Sequence, residues 1–140
     1  MAKLSLKIIT PERIVYENEV DEVYVPTEAG MVGILANHIP MVSALKTGEI
    51  RVKKDGDILP LSVSGGLVEI RPNSKVVILA DYSEFAHEID LVKAEEAYAR
   101  AKKVMEEKEN IQDVEFAKFQ SMFERELNRV RIGTKYHKRG

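Results

Sequence analysis

Proline and glycine all but vanish partway along this chain. Every proline (Pro11, Pro26, Pro40, Pro60 and Pro72) and every glycine except Gly133 and Gly140 precedes Phe85. From Phe85 onward the sequence is rich in Ala, Glu, Lys and Arg. Proline and glycine punctuate short strands, whereas an unbroken supply of good helix formers favours helices. A chain of 140 residues divided in this way is expected to be an α+β protein, with β structure over residues 1–84 and helices over residues 85–140.

The first region carries strand signals at close spacing. Leu4, Leu6 and Ile8 alternate with Ser5 and Lys7 until Thr10-Pro11 ends the run. Val23 and Val25 alternate with Glu22 and Tyr24 up to Pro26. Two apolar runs, Met31 to Leu35 and Met41 to Leu45, flank Asn37-His38-Ile39-Pro40. Ile50 and Val52 alternate with Arg51 and Lys53, and Asp55-Gly56 supplies a turn that favours a tight hairpin. Further strands are expected from Ile58 to Ser64, Leu67 to Ile70 and Lys75 to Ala80, with Gly65-Gly66 as a bend or bulge. Short strands separated by turns in this way indicate an antiparallel sandwich or barrel.

The second region reads as an antiparallel two-helix hairpin. Asp90 is a natural N-cap for a helix carrying Leu91, Ala94, Ala97, Tyr98, Ala101, Val104 and Met105 at helical spacing. Glu106-Glu107-Lys108-Glu109-Asn110 suits a helix end and turn. Asp113 is placed to cap a second helix, whose Phe116, Phe119, Phe123, Leu127 and Val130 recur every three or four residues. Gly133 is expected to stop that helix. Alanines facing phenylalanines account for both stripes as packing, without a cofactor.

Catalytic and metal chemistry find little support. Without cysteine the chain has neither a disulfide framework nor a thiolate metal site. His38, His87 and His137 form no i, i+4 pair, so no metal site is expected. No glycine is followed by lysine, which removes a Walker-type phosphate loop. No nucleophile and base stand together, and the chain is not expected to be an enzyme. A formal charge of −2 and the lack of an aromatic-basic stacking face argue against nucleic acid. No apolar run approaches the ~18 residues of a spanning helix. The start, Met1-Ala2-Lys3-Leu4-Ser5-Leu6-Lys7, has charges where a signal peptide needs an apolar stretch. Direct membrane insertion is therefore not expected.

Two segments suggest partners. The stretch Pro26-Thr27-Glu28-Ala29-Gly30-Met31-Val32-Gly33 is either an ordinary turn or a docking loop. Near the end, Arg125, Arg129, Arg131, Lys135, Lys138 and Arg139 face a single acid, Glu126. Positive charge complements a helix C-terminus, but this cluster exceeds what one helix end needs and suits an acidic partner surface. On these features alone, the chain could be a free-standing adaptor that docks an acidic protein through its basic hairpin.

An ordered set of segments narrows the choice. Thr10-Pro11-Glu12 is followed by Val25-Pro26-Thr27-Glu28-Ala29-Gly30-Met31-Val32-Gly33-Ile34-Leu35 and then by His38-Ile39-Pro40-Met41-Val42. Ala44-Leu45-Lys46-Thr47-Gly48, Val63-Ser64-Gly65-Gly66-Leu67-Val68-Glu69-Ile70 and Val76-Val77-Ile78-Leu79-Ala80-Asp81 complete the series. In order and spacing, ahead of a helical hairpin, the chain resembles the epsilon subunits of bacterial F-type ATP synthases over essentially its whole length.

That resemblance implies a β-sandwich followed by a regulatory helical hairpin. It also implies a non-catalytic rotor-stalk role, coupling rotation of the proton-driven c-subunit ring to ATP synthesis from the cytoplasmic face of the cell membrane as a peripheral protein. The gamma subunit would be met at Thr10, His38 and Ser43, and the ring by Glu28, Ala29, Gly30, Met31, Val32 and Gly33. The hairpin would restrain ATP hydrolysis by engaging gamma and the alpha and beta subunits, with Arg125, Arg129 and Arg131 facing beta. Undocked apolar side chains cost ~1.5–3 kcal/mol each when left in water, so such a brake must exchange one partner for another. Some members of the family bind regulatory ATP through a motif ending in Arg-Ala. The matching stretch here is Ile89-Asp90-Leu91-Val92-Lys93-Ala94, with Glu84 and Arg100 at compatible positions. Lys93 keeps the charge of that arginine but loses its planar fork. No other cofactor is implied.

Overall fold

The computed structural model describes residues 2–107 and 113–137, and divides the chain into two compact units, Met1–Phe85 and Ala86–Gly140. Eight strands make up the first: β1 (Leu4–Ile9), β2 (Ile14–Val20), β3 (Glu22–Thr27), β4 (Gly30–Leu35), β5 (Met41–Ala44), β6 (Gly48–Lys54), β7 (Asp57–Arg71) and β8 (Lys75–Phe85). A short 3₁₀ turn, Ala86–Glu88, leads the second unit into helices α1 (Leu91–Glu106) and α2 (Asp113–His137). Lys108, Glu109 and Asn110 of the expected turn, the Asp113 side chain, and Lys138 and Arg139 of the basic tail lie outside the described residues.

The strands run in the order β2-β1-β8-β7-β6-β3-β4, with β5 paired to β7. The long β7 pairs with β8 along its length while changing partner on its other side. Gly48 to Lys54 of β6 pair with its first half, and Met41 to Ala44 of β5 with its second. The change falls at Gly65 and Gly66, whose φ angles of 72° and 120° belong to glycine's range. Across this bend the buried residues step from Leu61 and Val63 to Val68 and Ile70, so the face turned to the core inverts. β8 inverts at the same rungs, from Val76, Ile78 and Ala80 to Ser83. The ladder therefore survives a corner that carries the chain from one layer of the sandwich to the other. A Cβ on Gly66 would lie 2.1 Å from the Leu79 carbonyl oxygen, so only glycine fits.

Three expectations change in detail. Gly65-Gly66 bends one long strand instead of separating two. β2 forms in a stretch with no alternation, where only Val15 and Val20 are buried. Among the described residues all strand pairs are antiparallel except one, since β1 runs parallel to β8 with Leu6 beside Val76. Between the layers, Leu4, Leu6, Ile8, Val23, Val25, Ile34, Ile50, Val52, Leu61 and Ile78 are fully buried in one core. Each contributes roughly 1.5–3 kcal/mol of transfer free energy.

In the second unit, Asp90 caps α1 as expected, its Oδ1 accepting the Lys93 N–H at 3.1 Å. Tyr98 on α1 meets Phe123 on α2, ring centroids 5.2 Å apart. Gly133 does not stop α2, which continues to His137. It is buried against the segment leading into α1, and a Cβ there would sit 3.2 Å from Ile89 Cγ2 and 3.1 Å from Leu91 Cδ1. Close packing outweighs the ~1 kcal/mol helix penalty of glycine.

Candidate interaction surfaces

The strand register assembles a surface that residue spacing hides. Ala44 on β5 pairs with Leu67 on β7, Leu67 with Leu79 on β8, Leu79 with Ile9 on β1, and Ile9 with Ile14 on β2. This row alternates with the core residues Val68, Ile78 and Ile8 and therefore lies on the outer face. Leu67 and Leu79 are 45% and 44% exposed, Ile14 is exposed, and so is Val42, two residues from Ala44 on the same face of β5. An apolar row across five strands is a contiguous patch of the kind that marks an interface. Residue type and spacing alone mark none of Ile9, Ile14, Val42, Ala44, Leu67 and Leu79 as a contact. The available signal was Val76-Val77-Ile78-Leu79-Ala80, an unbroken apolar run with two faces to cover.

Thr10, His38 and Ser43 fall around this layer. Thr10 follows Ile9 in the β1–β2 turn, its Oγ1 donating to the Arg13 carbonyl at 3.3 Å. Ser43 lies on β5 between Val42 and Ala44, donating to the Ala44 carbonyl at 3.4 Å. His38 belongs to the β4–β5 connection, its Nδ1 2.8 Å from the Ile39 carbonyl oxygen. That connection is held by the Asn37 N–H donating to Ser74 Oγ at 2.8 Å. The Thr10 turn and the last residues of β8 enclose a polar cleft of about 190 Å³ that includes Thr10, Arg13, Asp81 and Glu84. Thr10 and Glu84, expected in separate roles, are thus neighbours in one cleft.

The segment from Glu28 to Gly33 is less a loop than a hairpin tip. Only Glu28 and Ala29 lie between β3 and β4. Buried Thr27 organises the tip, its Oγ1 donating to the Gly30 carbonyl at 2.6 Å and accepting the Ala29 N–H at 3.2 Å. The Glu28 N–H donates to the Ala44 carbonyl at 3.0 Å. Glu28, Ala29, Gly30 and Met31 are exposed, while Val32 and Gly33 are half-buried. Such a tip presents its residues without the ordering entropy of a free loop.

In the hairpin unit the arginines differ in setting. Arg129 Nη1 donates to Glu126 Oε2 at 2.8 Å, and Arg125 Nε lies 3.6 Å from Glu126 Oε1. Glu126 itself is only 6% exposed. Arg131 is exposed. Two of the three arginines expected to meet a partner thus also hold a buried carboxylate inside the hairpin. Glu126 and Arg100 sit at the margin of a mostly apolar groove of about 270 Å³ between α1 and α2, with Ala97, Ala101, Val104, Phe119 and Met122. Asp90 and Lys93 open α1, and Arg100 lies farther along it. Among the described residues, no group of three or more His, Asp or Glu side chains could hold a metal ion. No described helix is long and apolar enough to cross a membrane.

Comparison with known proteins divides the chain one residue later than the two compact units do. Residues 3–86 match the family model for the ATP synthase delta/epsilon chain β-sandwich domain, and residues 87–133 match that for its long α-helix domain. A protein of Dehalococcoides mccartyi named ATP synthase epsilon chain is 40% identical over 138 residues, covering 99% of this chain and 97% of its own. One of the same name from Desulforamulus reducens is 39% identical over 132 residues, covering 94% and 98%. Among solved structures, a chain of the Euglena gracilis mitochondrial ATP synthase shares the fold with a TM-score of 0.75 at 20% identity. It covers 91% of this chain and 79% of that one. A chain from the central stalk and c-ring of the Tetrahymena thermophila enzyme gives 0.60 at 16% identity, covering 96% of each.

Proposed function

The chain belongs to the ATP synthase delta/epsilon family as an epsilon chain, and we propose that it works as a non-catalytic, peripheral subunit of the central rotor stalk. The observation that carries this reading is the apolar row from Ala44 to Ile14 on the outer face of the sandwich. That face, with Thr10, His38 and Ser43 around it, receives gamma. The rigid tip from Glu28 to Gly33 meets the c-subunit ring. With gamma and the ring held by one rigid sandwich, rotation of one is passed to the other.

Substitution of Leu67 and Leu79 by lysine tests the face. Both are already half exposed, so the full chain should fold with its stability changed by no more than ~0.5 kcal/mol per site. Rebinding to ATP synthase stripped of this chain should weaken at least about tenfold, since burying each leucine is worth roughly 1.5–3 kcal/mol. Unchanged rebinding would remove this face from the interface.

The hairpin is the regulatory element in this reading, slowing hydrolysis when it engages gamma, alpha and beta. Arg131 is already exposed, whereas Arg125 and Arg129 reach beta only by loosening their hold on Glu126. A swing from 1:99 to 99:1 between two sets of partners needs a differential of ~5.5 kcal/mol, about two or three reburied side chains.

A regulatory ATP site would draw on Asp90, Lys93, Arg100 and Glu84. The Asp90 carboxylate, however, already serves as a helix cap. Asp90→Ala should therefore destabilise the hairpin by about 1 kcal/mol, read as a lower melting midpoint by far-ultraviolet dichroism. Calorimetric titration of ATP separates the second role: saturable heat lost in Asp90→Ala would add nucleotide recognition to capping, and no heat at millimolar ATP would leave capping alone.

A further inference from the structure

Among the described residues, four other than glycine hold a positive φ: Asn37 (66°), Asp55 (52°), Asn73 (66°) and Ser74 (56°). Three of them meet at one place. Asn73 and Ser74 lie in the turn between β7 and β8, Asn37 lies in the connection from β4 to β5, and the Asn37 N–H donates to Ser74 Oγ at 2.8 Å. Asparagine and aspartate visit this left-handed region readily; serine does not. The preceding hairpin answers the same demand differently. In the β6–β7 turn Asp55 is followed by Gly56 at 86°, whereas in the β7–β8 turn Asn73 is followed by Ser74. Glycine at position 74 would relieve the backbone and lose the hydroxyl.

Strain of this kind persists where the surrounding structure holds it, and it collects at ligand clamps and switch regions. The Ser74 carbonyl accepts the Ser5 N–H at 2.8 Å, a bond that any residue there would make. What serine adds is the hydroxyl that takes the Asn37 N–H. Beyond Asn37 come His38, half-buried, and Ile39, 74% exposed, ahead of Pro40. Two further bonds of this connection are local, one from the His38 N–H to the Leu35 carbonyl and one between the His38 ring and the Ile39 carbonyl. The bond to Ser74 instead reaches across 37 residues and fixes the connection to a separate hairpin. A segment ordered in advance loses less conformational freedom when its partner arrives.

We propose that Ser74 is a positioning residue for the gamma subunit: its hydroxyl holds the β4–β5 connection in one conformation, so that His38 and Ile39 are presented ready to bind. The inference rests on the gamma contact proposed for His38 and deepens it, placing control of that contact in a turn that need not touch gamma itself. The left-handed φ of Ser74 is a cost carried by the free chain and offset when the ordered connection meets its partner.

Ser74→Gly in the full chain tests it, since this change relieves the φ and deletes the hydroxyl together. Relief and loss offset each other, so the melting midpoint should stay within about 5 °C of the wild type. The Asn37 amide of the free chain should exchange at least about tenfold faster. Rebinding to ATP synthase stripped of this chain should weaken at least about threefold, the worth of one neutral hydrogen bond. In a chain already carrying His38→Ala and Ile39→Ala, Ser74→Gly should have no further effect on rebinding, because residues that act through one another are not additive. An Asn37 amide that exchanges at the wild-type rate, Ser74→Gly rebinding like the wild type, or a loss that persists in full without the His38 and Ile39 side chains overturns the positioning role and leaves the gamma contact standing. A chain with His38→Ala and Ile39→Ala that rebinds like the wild type overturns both.

Discussion

Alanine in place of Gly66 is expected to leave the sandwich marginal or unfolded. The φ of 120° costs a non-glycine residue about 1–3 kcal/mol. The new Cβ would also lie 2.1 Å from the Leu79 carbonyl oxygen and 2.8 Å from the Ala80 Cα. These are backbone atoms of β8, so relief requires moving a strand, at a further ~1–3 kcal/mol. The sum is a large part of the roughly 5–15 kcal/mol that holds a domain folded. Gly56→Ala is the control. Gly56 also has a positive φ, 86°, but nothing lies within 4 Å of its would-be Cβ, so the loss there should be only about 1–2 kcal/mol. Urea midpoints of the two variants measure the difference. If both fell equally, the close passage of β8 over Gly66 would not be what demands glycine.

Truncation after Phe85 is expected to give a folded sandwich that still joins the complex and releases hydrolysis. Every residue of the large core cluster lies within Met1–Phe85, so removing the helices takes nothing from it. The cut falls after Phe85 because that residue pairs with Leu61 and meets Tyr16 edge-on, ring centroids 6.3 Å apart. ATP hydrolysis by the reassembled enzyme should rise at least about fivefold, the lower end of a typical coupling free energy. A truncated chain that assembles normally without raising hydrolysis would show that the hairpin is no brake.

Local chemistry explains which of these features could be read in advance. β1, β6 and the first four residues of β3 alternate because each has one face on the core, and alternation is a signal the sequence carries residue by residue. β2 has no such signal, since its buried Val15 and Val20 stand five apart. Gly65-Gly66 reads as a bend or bulge, but one that separates two strands, because glycine weakens a strand interior. Here two positive φ angles let a strand turn a corner with its ladder intact, which only the register reveals. Gly133 misleads in the same way, as a packing surface resembles a helix terminus when only residue type is visible.

The interaction surfaces were legible to different depths. The tip from Glu28 to Gly33 stood out through its glycines and exposed methionine, and the capping aspartate through its place ahead of the helical run. The outer apolar row did not. Leu67 precedes core Val68 and Leu79 follows core Ile78, so the sequence shows apolar runs without saying which face is covered. The arginines showed their charge but not that Glu126 takes up two of them. Pairing between distant strands and the partner of a single carboxylate are tertiary facts, fixed by packing and not by local propensity.

The parallel seam between β1 and β8 also sets a timetable for synthesis. Leu6 cannot find Val76 until about 70 further residues have been made. At roughly 5–20 residues per second the first strand waits on the order of 4–14 s for its neighbour. During that interval the β1–β2 hairpin has only one partnered edge and an uncovered apolar face, and an isolated two-stranded hairpin is marginal in water. The sandwich closes only as its last strand emerges, so its birth is a late, concerted event. A ribosome paused before β8 would hold a sticky, unfinished sheet.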